Sequence, residues 1–154
     1  MASDLCGYRV HRAMHRVPWL QRVRWLHHEA TEPSFLDAWR QHPVDLVLHG
    51  VVVGLAGALL ALSLSALGSV VLLRKTFTTL LHAGLAVSFG CVLASPAFHA
   101  GHHSADARAL DTNFAGTFPL WGVLFGTWSE HRALRQPPGD AAPDVAAGAA
   151  MRLA

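Results

Sequence analysis

Charge is what this chain has least of. Only 14% of its 154 residues are Asp, Glu, Lys or Arg, whereas 52% are hydrophobic, and the mean hydropathy is +0.31. A formal net charge of +2 is too small to argue for a nucleic-acid partner. The arginines alternate with histidine and tryptophan and form no basic block, which suits a membrane surface better. Cysteine is equally scarce. Cys6 and Cys91 stand alone, which excludes a disulfide framework and a CxxC motif and fits a reducing cytoplasmic face. The chain has no GxGxxG or other cofactor-binding run and no repeat of fixed period. Residues 1–16 hold no apolar core of signal-peptide length.

Long apolar runs are what the chain has instead. Residues 51–73, VVVGLAGALLALSLSALGSVVLL, carry no ionisable group. As a helix they would measure roughly 34 Å, against about 30 Å for the hydrocarbon core of a bilayer. Residues 76–96 are apolar apart from Ser, Thr and His82. The two runs predict an all-α integral membrane protein with a helical hairpin of two crossings. The turn falls either at LSALGS, residues 64–69, or at Arg74 and Lys75. With the earlier turn, Arg74 and Lys75 occupy the first turns of the second helix and must snorkel to the far interface.

An even number of crossings returns the chain to the side it left. Arg9, Arg12, Arg16, Arg22, Arg24 and Arg40 precede the hairpin, and Arg108, Arg132, Arg135 and Arg152 follow it. The positive-inside rule then places both flanks, a histidine-rich helical cap, in the cytoplasm. Residues 4–28 read as helix with a break at Pro18, residues 29–34 as linker and residues 35–41 as a further helix, with a boundary at His42-Pro43. Pro96 should open a helix, and residues 113–127 read as loop and amphipathic segment. Residues 1–135 are expected to form one domain, with a Pro-, Ala- and Gly-rich disordered tail over 136–154.

Eight of the eleven histidines lie in groups on either side of the apolar runs or within them: His11 and His15, His27 and His28, His82, then His99, His102 and His103. His11 and His15 at i, i+4 project from one helical face, about 6 Å apart along the axis. His99, His102 and His103 at i, i+3, i+4 place three imidazoles on one stripe. So many imidazoles with few carboxylate partners would be costly to bury unpaired. Neutral imidazole is a donor suited to Fe, Zn, Cu or Ni, and metal binding is the expectation. His82, an ionisable group in an apolar span, is a functional candidate by its position. His42 is expected to pack or cap a turn, and His49 and His131 to be structural or solvated.

These residues resemble a known family. The run DLCGYRVHRAMH, with Asp4, Tyr8, His11, Arg12 and His15, is similar to the DxxxYxxHRxxxH box of the fatty acid hydroxylase and sterol desaturase superfamily. His27 and His28 resemble the end of its HxxHH box, and RQHP at residues 40–43 its next landmark. LLHAGL around His82 looks like its membrane-embedded histidine, and SPAFHAGHHS at residues 95–104 its second HxxHH box. NFAG from Asn113 and LWGVLFGTW ending at Trp128 resemble its closing signature. The resemblance implies a membrane-bound non-haem di-iron enzyme, its two irons (zinc being a possible substitute) held by His11, His15, His27, His28, His82, His99, His102 and His103. It further implies O2, a lipid substrate to hydroxylate or desaturate, and an external electron donor such as a cytochrome b5 or a ferredoxin. No catalytic residue is implied beyond the metal ligands.

Three departures from the family pattern stand out. Arg24 occupies the first position of the first HxxHH box, and a guanidinium cannot ligate metal. Gly84 stands where Asn is common, and Gly122 where the WDxLFGT pattern has Asp. The family also has two or more membrane helices before its first box, and this chain starts at the end of such a helix. A truncated or degenerate, non-catalytic family member acting as a metal-binding membrane or partner subunit is therefore the alternative to an active oxygenase. A metal transporter would want ionisable groups along both membrane helices, and only His82, Asp45 and His49 come close.

Overall fold

The computed structural model describes residues 1–30, 34–104, 106 and 109–129. The expected disordered tail, His131 and four of the flanking arginines lie outside these residues, as does part of the 29–34 linker. Among the described residues there is no strand, and the architecture is all-helical. The helices are α1 (Ala2–Arg16), α2 (Pro18–His28), α3 (Pro43–Leu59), α4 (Leu64–Leu81), α5 (Pro96–His102) and α6 (Leu120–Leu124).

The break between α1 and α2 falls where Pro18 predicts it. Val17 is extended at φ −94°, ψ 120°, and Pro18 opens α2, where its missing N–H costs nothing. His42 and Ser95 mark the other starts. His42 Nδ1 accepts from the Val44 N–H at 3.2 Å, and Ser95 Oγ from the Phe98 N–H at 3.2 Å, each just before a helix-opening proline. The helix expected over 35–41 is only a 3-10 turn, Asp37–Trp39. Asp37 folds its carboxylate back onto the Ser34 N–H and hydroxyl, and Pro43 forces His42 to an extended ψ of 142°.

The apolar segments differ from expectation in register. The uncharged run 51–73 is not one helix: α3 ends at Leu59 and the chain turns over residues 60–63, with Ala61 at φ 50°. Ser63 caps α4, its Oγ accepting from the Ala66 N–H at 3.2 Å. The turn thus precedes both expected positions. Arg74 and Lys75 consequently lie in the half of α4 nearest the histidines, not at the far interface. Arg74 reaches Asp4 of α1 at 3.4 Å over the bare face of Gly7, where a Cβ would lie 2.8 Å from the guanidinium. Lys75 donates to the Ala38 carbonyl at 2.9 Å and lies 4.2 Å above the Trp39 ring.

The second run also stops short, because α4 ends at Leu81 and residues 83–95 are not helical. Gly84 sits at φ 66°, a left-handed conformation that glycine and asparagine tolerate best, so Gly in place of Asn keeps the local geometry. α4 is the one described helix long and apolar enough to cross a bilayer, with mean hydropathy 1.3 and almost none of it buried. α3 has 17 residues. It packs chiefly on α1 and meets α4 near the turn, where a Cβ on Gly57 would lie 2.8 Å from Leu67. Leu59 and Leu64 at the tip are each 87% exposed, so apolar surroundings must cover them.

Candidate metal centre

Helical periodicity explains how the site is assembled. On α1 the residues Asp4, Tyr8, His11 and His15 fall on one stripe at spacings of four, three and four. Asp4, Tyr8 and His11 of this stripe are buried, against a core formed by Tyr8, Leu81, Ala94, Phe98, Phe114 and Ala115. α2 delivers His27 and His28, the C-terminus of α4 delivers His82, and α5 with its cap delivers His99, His102 and His103.

All eight expected histidines converge, and they form two tetrads. His11, His15, His28 and His102 make one; His27, His82, His99 and His103 make the other. Within each, the four donor nitrogens lie within 4.8 Å of one another. Adjacent helical residues point about 100° apart, so each His-His pair sends one ring to each tetrad. The stripe His99, His102, His103 accordingly splits, with His99 and His103 together and His102 in the other group. His28 and His103 link the tetrads, their rings stacked at 4.3 Å.

Backbone carbonyls fix the ring orientations. The Nδ1–H of His11 donates to the Phe114 carbonyl at 2.9 Å, and that of His102 to the Thr112 carbonyl at 2.8 Å. In the other tetrad, the Nδ1–H of His27 donates to the Arg40 carbonyl at 3.2 Å and that of His82 to the Thr78 carbonyl at 2.8 Å. A carbonyl only accepts, so these four rings carry their proton on Nδ1 and present a bare Nε2 inwards. Burial, as the first cause, holds His11, His27, His28, His99 and His103 well below the ordinary imidazole value. It pushes His102 down to about 3. Burial thus favours the neutral form of these six rings.

Neutral rings in these tautomers fit a metal ion. The Nε2 atoms of His27 and His82 face each other at 3.1 Å as two lone pairs, with His99 Nε2 also 3.1 Å from His82. Lone pairs so close repel unless a cation lies among them. In the first tetrad the buried Nε2 atoms of His28 and His102 have no protein hydrogen-bond partner. An all-imidazole donor set suits Fe, Zn, Cu or Ni.

Arg24 is buried beside the first tetrad. One guanidinium nitrogen donates to Asp45 Oδ2 at 2.8 Å and another to His11 Nε2 at 3.0 Å. Its side chain is 7% exposed and that of Asp45 0%. Burial lowers the Arg24 pKa and Asp45 opposes this, while guanidinium basicity keeps it charged. The departure at Arg24 was visible in the sequence, but its partner Asp45 was not, since nothing in the spacing pairs α2 with α3. His49, expected to be structural or solvated, places Nδ1 2.7 Å from Asp45 Oδ1.

The other motif residues brace this arrangement. Asp4 accepts from the Trp121 indole N–H at 3.0 Å and from the Phe118 N–H at 3.2 Å. The Tyr8 hydroxyl pairs with Thr127 Oγ1 at 2.8 Å. Asn113, wholly buried at φ 58°, donates to the carbonyls of Phe98 and Ser129 and accepts from the Ser129 N–H. Gly122 lies against Trp128, whose backbone N would be 3.3 Å from an added Cβ, so an Asp here would require the chain to shift.

All-helical among the described residues, with one helix apolar and long enough to cross a bilayer and two histidine tetrads, the fold defines a class of protein with a candidate metal centre beside a membrane-length helix. A fatty acid hydroxylase family profile matches residues 1–127, and the chain belongs to that family. It is similar to methylsterol monooxygenase 1 of Rattus norvegicus, 26% identical over 133 residues, covering 85% of this chain and 45% of the relative. It is also similar to alkylglycerol monooxygenase of Caenorhabditis elegans, 25% identical over 137 residues, covering 84% and 26%. Fatty acid hydroxylase domain-containing protein 2 of Macaca fascicularis is 31% identical over 104 residues, covering 67% and 30%. The chain spans about half or less of the length of these relatives. No solved structure gives a significant match.

Proposed function

We propose that this chain carries the metal centre of a membrane-bound, O2-dependent lipid hydroxylase or desaturase, with one iron in each histidine tetrad. The observation that carries this reading is the convergence of eight imidazoles into two adjoining tetrads, four of the rings fixed with bare Nε2 atoms inwards. Iron bound there would supply oxygen activation and attack on an unactivated C–H bond, and zinc would fit the same donors without the redox chemistry.

The protein's part is to position and enclose. The carbonyls of Thr78, Arg40, Thr112 and Phe114 orient the rings, and burial keeps protons off the donors. α3 and α4, 17 and 18 residues long, reach about 25 and 27 Å, close to the thickness of the hydrocarbon core. As a hairpin they anchor the cap at the cytoplasmic surface, the side favoured by its arginines. An apolar groove is lined by Leu5, Cys6, Arg9 and Val10 of α1, Val52 of α3 and Phe125. None of the eight histidines lines it, so the histidine centre lies outside this groove. A sterol, fatty acid or related lipid is the substrate class, and electrons come from an external cytochrome b5 or ferredoxin.

The test is oxygen incorporation. The full chain, in nanodiscs with ferrous iron, a reduced ferredoxin or cytochrome b5 and 18O2, is offered membrane lipid extracts. Mass-labelled hydroxylipid, or unsaturated lipid with matching O2 consumption, is the expected result. Arg24 favours one second reading, a metal-binding partner subunit without turnover. An iron-loaded chain giving no product with either donor would establish that reading over the first.

A further inference from the structure

The two tetrads differ in one respect that the shared fold does not require. In the tetrad of His27, His82, His99 and His103, no guanidinium or ammonium group hydrogen-bonds a ring nitrogen among the described residues. In the tetrad of His11, His15, His28 and His102, the protein already supplies a cation. The Nδ1 proton of His11 is committed to the Phe114 carbonyl, so its Nε2 has one lone pair, and Arg24 donates to it at 3.0 Å. That is the lone pair a metal would need. Arg24 is held there by a second hydrogen bond to Asp45, which no solvent reaches.

A metal entering this tetrad must pull His11 away from the guanidinium and then sit beside a buried positive charge. The metal in the other tetrad meets no such competitor. We infer that Arg24 makes the two metal sites unequal, with the His27, His82, His99, His103 tetrad as the tight site. The His11, His15, His28, His102 tetrad is then the weak one, filled mainly through His15, His28 and His102. This rests on the reading of the histidines as a metal centre and adds to it a specific role for Arg24 as a restraint on His11.

Cobalt(II) is the probe, titrated into the detergent-purified full chain and followed by its visible d–d absorption and by metal analysis after dialysis. The wild type should bind one cobalt per chain and a second only at free concentrations at least 100-fold higher. His99→Ala should abolish the tight step, and His15→Ala only the weak one. Arg24→His with Asp45→Asn, which leaves no buried carboxylate unpaired, should bring the two steps within 10-fold of each other. Two equal steps in the wild type, or loss of the tight step in His15→Ala, would overturn the role of Arg24 and leave the metal centre standing. Absence of any cobalt step in the wild type would overturn both. Should the double variant fail to fold, the two alanine variants decide the matter alone.

Discussion

At the scale of single residues, Asn113 shows how the site depends on groups that touch no metal. Its left-handed backbone places Thr112 and Phe114 on either side, and their carbonyls set the tautomers of His102 and His11. Its amide ties that loop to Phe98, one residue before His99, and to Ser129. Asn113→Gly keeps the backbone conformation open and removes only the amide. It should cost at least about 2 kcal/mol, since each buried partner left unsatisfied costs about 1–3 kcal/mol. Chemical unfolding in detergent measures this, and a loss under about 0.5 kcal/mol would contradict the bracing role. The eight histidines themselves were legible in the sequence, because spacings of three and four and the paired His-His steps are helical signals. Their division between tetrads was not. Periodicity gives the direction of a ring from its own helix but not the place where another helix meets it, so His102 parts from His99 and His103 unannounced.

At the scale of elements, proline and capping residues were readable and the apolar turn was not. Pro18, Pro43 and Pro96 each open a helix, as expected from a ring that fixes φ and lacks an N–H. Across residues 51–73 hydropathy is uniform, so it marks no turn, and the one local signal was Ser63, whose hydroxyl caps α4. Moving the turn to residues 60–63 also removes the difficulty with Arg74 and Lys75, which end up holding α4 to the cap through Asp4 and the Ala38 carbonyl. A hairpin that crosses the bilayer puts this turn on the face opposite Cys6, which is exposed on α1. With Cys91 changed to Ser, a membrane-impermeant thiol reagent applied to intact cells should leave Cys6 unlabelled. Leu60→Cys, in a background also lacking Cys6, should be labelled from outside. Labelling of Cys6 in intact cells would place the cap on the other side. A Leu60→Cys that is unreactive from both sides would mean that the hairpin tip stays within the bilayer.

At the scale of the whole molecule, α1, α2, α5 and the tip of α4 form one histidine-filled cap, while α3 and the rest of α4 extend an apolar surface from it. The cap buries neutral donors and the hairpin exposes leucine and valine, so the two parts ask for opposite surroundings: a cation inside and lipid outside. The claim joining them is that the tetrads are metal sites. It is tested most directly by counting iron in the detergent-purified full chain after loading with excess iron-57, with Mössbauer spectroscopy to read its environment. Two high-spin irons per chain, falling to about one in His99→Ala, is the result this account predicts. No bound iron, or an iron content unchanged when His15 and His99 are both replaced by alanine, would contradict it.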